Sequence, residues 1–197
     1  MRAWTLPVLA AWIAVLAATP FVGDNYLVKI ATFVAFYAAL ALSWNFIGGL
    51  AGYPSFATAA FVGLGSYAGA LVQNAGAPIV VAWIAAAGVC AMAAAALGAI
   101  VLRLRGHYFA IGSIALVEIL SLVASWWSGL TGGGEGLNLA FLPGGPDTIA
   151  RVFLYAMLGI AVLALVTTVA VTRGRLGFGL RCIAQNEDAA EMVGIPT

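Results

Sequence analysis

Charge is scarce in this 197-residue chain: 8% of its residues are Asp, Glu, Lys or Arg, against 64% hydrophobic. Soluble domains carry about 25% charged and about 45–50% apolar residues, so a water-facing surface cannot be built from this composition. Disorder is excluded by the same balance, because disordered chains are polar and charge-rich. Eight basic and seven acidic residues leave a net charge of +1 with no basic stripe, which speaks against nucleic acid as a partner. The solvent that remains is the lipid bilayer.

Reactive side chains are scarce too. The one histidine, His107, sits in a short connection, where it is poorly placed to serve Ser66 as a base; Ser66 and Ser113 are the available nucleophiles. A lone histidine with scattered acids does not suit a metal, and no cofactor is expected. The two cysteines, Cys90 and Cys182, lie far apart with neither metal-site spacing nor a disulfide framework. The one lysine, Lys29, stands between Val28 and Ile30, so the Gly-Lys-Ser/Thr phosphate loop is missing. If ATP drives this protein, another chain must bind it. The reading is a non-enzymatic membrane protein.

What the chain does contain is long apolar runs. A span needs about 20 mostly apolar residues, and six stretches meet or approach that: 4–22, 30–47, 55–72, 79–102, 108–127 and 152–172. They predict an all-α, polytopic transmembrane bundle. Arg2 before the first run resembles the start of a signal peptide, but no small-x-small cleavage site follows, so an uncleaved span is expected. Arg103 and Arg105 follow the fourth run, Arg173, Arg175 and Arg181 follow the sixth, and 128–150 has no Lys or Arg. Positive residues stay inside, which puts 103–107, the C-terminal segment and the N-terminus in the cytoplasm.

The third run is unusual. Gly48-Gly49-Leu50-Ala51-Gly52-Tyr53-Pro54 leads into 55–72, which holds Gly63, Gly65 and Gly69. Gly65 and Gly69 share a helix face and permit close approach of another helix. Alternatively the segment is broken or re-entrant, as pathway segments of transporters often are. The alanine-rich 85–99 stretch reads as tight helix packing. Glu118 lies midway along the fifth run, where a carboxylate must face protein or water or be protonated. It is either a structural hydrogen-bonding group, part of a pathway or a proton relay, and the last lacks a second acid or histidine in another span. The glycine-rich Thr131–Gly136 stretch reads as part of a flexible external loop.

After the sixth run, Arg173 to Gly179 form a basic, turn-rich exit, and 180–185 is amphipathic. Asn186 is placed to cap a second short helix, with Glu187, Asp188 and Glu191 early, where the helix dipole favours acids. Gly194 and Pro196 would stop it. The pair either lies on the membrane surface or docks a partner.

Glu187-Asp188-Ala189-Ala190-Glu191-Met192-Val193-Gly194 resembles the Glu-Ala-Ala-x-x-x-Gly coupling loop of ABC-importer permeases. Leu102 to Ile111, Glu118-Ile119-Leu120, Leu130-Thr131-Gly132-Gly133 and Asn45 to Tyr67, including Ser55-Phe56-Ala57-Thr58, are similar to the M-type permease of the branched-chain amino acid family. The likeness covers about 37–197. The family often has Gly-His where Ala57-Thr58 stand, and an acid where His107 stands.

The resemblance implies residues 1–172 as a membrane permease domain and 173–197 as a cytoplasmic coupling loop. It implies an importer of branched-chain amino acids in a bacterial inner membrane, with ATPase subunits, a second permease subunit and a periplasmic binding protein as partners. Glu118, Ser55, Thr58, Gly63 and Gly65 become pathway candidates; Glu187, Ala189, Ala190, Glu191 and Gly194 become coupling candidates. Family members continue into further spans beyond this loop, so a chain ending at Thr197 is expected to match the N-terminal part of a longer permease. The alternatives are a permease for urea or short amides, and a self-contained secondary transporter or channel centred on Glu118.

Overall fold

The computed structural model describes residues 5–22, 24–104, 106–139, 142 and 144–195; Arg2, Arg105, Pro196 and Thr197, used above, lie outside them. The regular elements among the described residues are all helical. They are α1 (Thr5–Val22), α2 (Asn25–Trp44) continued by a π-helical turn (Asn45–Leu50), α3 (Thr58–Asn74), α4 (Ile79–Val101), α5 (His107–Trp126), the short α6 (Ser128–Thr131) with a 3-10 turn (Gly133–Glu135), α7 (Pro146–Arg173), α8 (Arg175–Gln185) and α9 (Glu187–Met192).

Among the described residues, four helices are long and apolar enough to cross a membrane: Asn25–Leu50, Ile79–Val101, His107–Trp126 and Pro146–Arg173. Two of the six runs are shorter as helices: α1 is apolar over Pro7–Val22, and α3 has 17 residues, about 26 Å at 1.5 Å per residue. The all-α polytopic architecture stands, with shifted boundaries. The second and sixth spans begin at Asn25 and Pro146 rather than at 30 and 152. Hydropathy breaks off at polar residues such as Lys29 and Arg151, whereas backbone hydrogen bonding continues through them. Pro146 opens α7, where its missing N–H leaves no intrahelical bond unmade.

The chain folds as two compact units, Met1–Gly52 with Leu142–Thr197, and Tyr53–Phe141. In the first, Val28, Ala31 and Ala35 of α2 form a buried cluster with Leu154 and Leu158 of α7, against which Leu16 and Ala17 of α1 pack. The 28, 31, 35 spacing makes one helix face, and its alanines let α7 approach closely, as helices in lipid require. The Asn25 side-chain amide donates to the Asp147 carboxylate, so α2 and α7 start together and run parallel. Pro20 deprives the Leu16 carbonyl of its usual donor, and the Thr19 hydroxyl supplies one at 2.8 Å.

Helix α3 starts only at Thr58, after the non-helical stretch that follows the π-helical turn. In the second unit α3 packs along α4: a Cβ at Gly65 would lie 3.2 Å from Cys90 Sγ, and one at Gly69 3.7 Å from Ala86 Cβ. The helices turn large apolar side chains outward, Trp12, Phe33, Ile84 and Leu163 among them. That surface suits lipid, not water.

Candidate functional site

The stretch from Gly52 to Phe56 is not helical, so its backbone groups need partners other than a helical ladder. At membrane depth such groups must be satisfied by protein or line a wet cavity. The Phe56 N–H donates to Ser113 Oγ at 3.0 Å, and that hydroxyl donates onward to the Ala110 carbonyl at 2.7 Å. Ser55 is buried, and its Oγ accepts weakly from the Ala57 N–H at 3.4 Å. The Tyr53 ring meets Phe109 edge to face at 5.3 Å. Thr58, half-buried, opens α3. Two contacts, Phe56 with Ser113 and Tyr53 with Phe109, thus brace an unwound entry to α3 against the first turns of α5.

Beyond this entry lies a cavity of about 640 Å³ walled by α3 (including Ala60, Gly63 and Tyr67), α5 (Leu120, Ser121, Ala124), Val89 of α4 and the Trp127–Thr131 turn. Its lining is mostly apolar and carries no charged side chain; Tyr67, Ser121, Ser125 and Thr131 bring hydroxyls to it. The volume lies within the roughly 300–1,000 Å³ typical of small-molecule sites. Of the expected pathway residues, Gly63 lines the cavity, with nothing within 4 Å of where its Cβ would be. Gly65 serves the α4 contact instead. Glu118 lies outside the lining, on the exposed face of α5 that bears Ile111, Ile114 and Leu122.

The glycine-rich connection is folded over 128–136, contrary to its reading as a flexible loop. Thr131 is buried, and its hydroxyl donates to the carbonyls of Ala124 and Trp127, the latter at 2.8 Å, closing the end of α5. Gly132 has φ +75°, and a Cβ there would fall 2.2 Å from the Gly136 carbonyl oxygen, so only glycine fits this turn. The turn forms one end of the cavity.

The coupling candidates lie in the first unit. Asn186 accepts from the Ala189 N–H at 3.1 Å, capping α9 as the sequence suggests. Glu187 and Asp188 occupy its first turn; Ala190 is buried, while Ala189 and Glu191 are exposed. Gly194 (φ +83°) ends the helix: its N–H donates to the Glu191 carbonyl at 2.9 Å and that of Ile195 to Ala190 at 3.1 Å, the paired bonds of a Schellman stop.

Sequence reading overlooked the bracing role of Ser113 and the closure by Thr131. The position of the Thr131 hydroxyl four residues after Trp127 is a local signal that could have flagged the second. The Ser66 hydroxyl donates to the Val62 carbonyl at 2.8 Å, so both candidate nucleophiles hydrogen-bond backbone carbonyls. No group of three metal-binding side chains gathers among the described residues.

Comparison with known proteins gives a consistent family. The high-affinity branched-chain amino acid transport system permease protein LivM of Escherichia coli (strain K12) is 28% identical over 214 aligned residues, covering 95% of this chain and 50% of that protein. The LivM of Salmonella typhimurium (strain LT2) matches with the same identity and coverage. The chain therefore spans about half the length of these curated relatives. No solved structure matches it significantly. A family model described as branched-chain amino acid transport system, permease component, matches residues 26–197. Matched over most of its length and built of apolar helices, the chain belongs to the branched-chain amino acid transport permease family.

Proposed function

We propose that the chain forms part of the permease subunit of an ATP-driven importer for branched-chain amino acids. The family match through 26–197 carries this reading, because it runs without a break from the membrane helices into the α8–α9 pair. Residues 1–172 are the membrane part; 173–197 face the cytoplasm and meet a separate ATPase through Glu187, Ala189, Ala190, Glu191 and Gly194. A second permease subunit and a periplasmic binding protein complete the assembly in the inner membrane, with both chain ends inside.

No covalent chemistry is needed. ATP binding to the partner favours one arrangement of the permease over another, and that differential affinity shifts the pathway between outward and inward access. The unwound entry at Ser55 and Thr58 and the cavity beside Gly63 lie on that pathway, with hydroxyls and backbone groups as polar partners. Glu118 borders the path or meets a neighbouring membrane helix. A second reading, a permease for urea or short amides, draws support from the uncharged cavity lining, which suits a neutral solute.

The test is uptake by the full-length permease reconstituted with its ATPase and binding protein. Leucine uptake that requires ATP, and Glu191→Arg abolishing substrate-stimulated hydrolysis while insertion persists, are the expected results. Stimulation that survives Glu191→Arg and Glu187→Gln together would sink the docking assignment. Transport of urea but not leucine would favour the second reading, and flux without ATPase would favour a self-contained transporter.

A further inference from the structure

We infer that Arg181 is a positioning residue that seats α8 between the end of α7 and the π-helical turn, so that displacement of α9 is delivered to Gly52; this deepens the permease reading and rests on it. Arg181 reaches back with two donors, Nε to the Gly177 carbonyl at 3.0 Å and Nη2 to the Thr172 carbonyl at 2.9 Å. Thr172 lies in the last turn of α7, where carbonyls lack intrahelical donors and the helix dipole favours a cation. The planar guanidinium serves both carbonyls in a fixed fork, which an ammonium cannot reproduce.

The fit beneath that fork is tight. A Cβ at Gly177 would stand 2.3 Å from the Val171 carbonyl oxygen and 2.8 Å from Thr172 Cα, so α8 lies directly on the end of α7. One turn beyond Arg181, Ala184 meets the end of the π-helical turn: a Cβ at Gly52 would be 3.2 Å from Ala184 Cβ and 3.4 Å from its Cα. Both neighbours of α8 are thus backbone at close range, which yields less readily than flexible side chains.

Asn186 joins α8 to α9 without slack. Its N–H donates to the Cys182 carbonyl at 3.1 Å while its side chain caps α9. A push on α9 therefore passes through α8 to the end of α7 and to Gly52. The long helix α7 is held along α2, whereas Gly52 leads straight into the non-helical stretch, where no helical ladder resists movement. That stretch is where the displacement goes.

The experiment uses the full-length permease assembled with its ATPase and partner subunit in lipid nanodiscs, with Arg181→Met and Arg181→Lys. Arg181→Met keeps much of the apolar stem and removes both donors; amide hydrogen exchange across α8 and substrate uptake per ATP hydrolysed are measured. Loss of two charge-assisted bonds should speed α8 exchange by about tenfold and lower uptake per ATP by a similar factor. The buried α2–α7 cluster and basal ATP hydrolysis should stay as in the wild type, and Arg181→Lys should recover part of both losses. Unchanged α8 exchange in Arg181→Met overturns the seat, and faster exchange with unchanged uptake per ATP overturns the positioning role. Wild-type uptake that ignores ATP would refute the permease reading and the delivery role with it, while the exchange result would still decide the seat.

Discussion

Asn25 and Asp147 join side chain to side chain across 122 residues of sequence, tying the first turns of α2 and α7 together. If α2, α4, α5 and α7 all cross the membrane, two parallel helices so tied require an odd number of crossings between them, and α3 is expected to make the third. Single cysteines in a background lacking Cys90 and Cys182 will test this. A thiol at Ala75, in the α3–α4 turn, should react from the same membrane side as one at Asp24, which precedes α2, because α2 and α3 then cross in turn. Labelling of Ala75→Cys from the side opposite to Asp24→Cys would show that α3 turns back.

Ser113→Ala removes the acceptor of the Phe56 N–H and leaves that donor unpaired. The cost should be about 1 kcal/mol of stability, as for an unmet, partly buried donor. Ser66→Ala, which deletes only a hydroxyl bonded to its own helix, should change little. Thermal unfolding in detergent would separate them; equal effects would mean that Ser113 does not brace the entry.

Filling the cavity should act on solute size rather than on folding. Gly63→Leu enters open space, so the protein should still fold and insert. Under the permease reading, KM for leucine should rise about tenfold, with a smaller rise for alanine, since a few methylenes separate these solutes. A uniform loss for both amino acids would place the pathway elsewhere.

Gly132→Ala places a Cβ against Gly136 in a backbone conformation that L residues rarely adopt. Destabilisation of about 1–3 kcal/mol is expected from this strain, together with faster exchange of the Thr131–Gly136 amides. Gly134→Ala, where a Cβ meets nothing within 4 Å, is the control and should be close to neutral. Equal exchange in the two variants would return this turn to the status of a flexible loop.

Legibility followed the range of the interaction. The long helices show in the sequence because each needs only its own apolar run, and the Asn186 cap and Gly194 stop show because both act within one turn. Helix starts at Asn25 and Pro146 escape a hydropathy reading, since backbone bonding continues past polar side chains. Ser113 and Phe56 lie 57 residues apart, so nothing local announces their bond. Depth along α5 made Glu118 conspicuous, but depth does not say which way a helix faces. The packing of α5 leaves Glu118 exposed and puts the smaller, quieter Ser121 and Ala124 at the cavity. Gly63 and Gly65 are two residues apart and serve different surfaces, a distinction that needs the positions of α4 and α5.

The unwound stretch before α3 also holds length in reserve. A helical residue advances 1.5 Å along its axis and an extended one up to about 3.3 Å, so the three residues Pro54 to Phe56 can differ in reach by up to about 5 Å between wound and unwound forms. Pro54 keeps Tyr53 out of the helical region, so backward winding of α3 stops at Pro54. Under the permease reading, the stretch is a tether of adjustable reach, able to absorb a stroke without breaking a turn of any membrane helix.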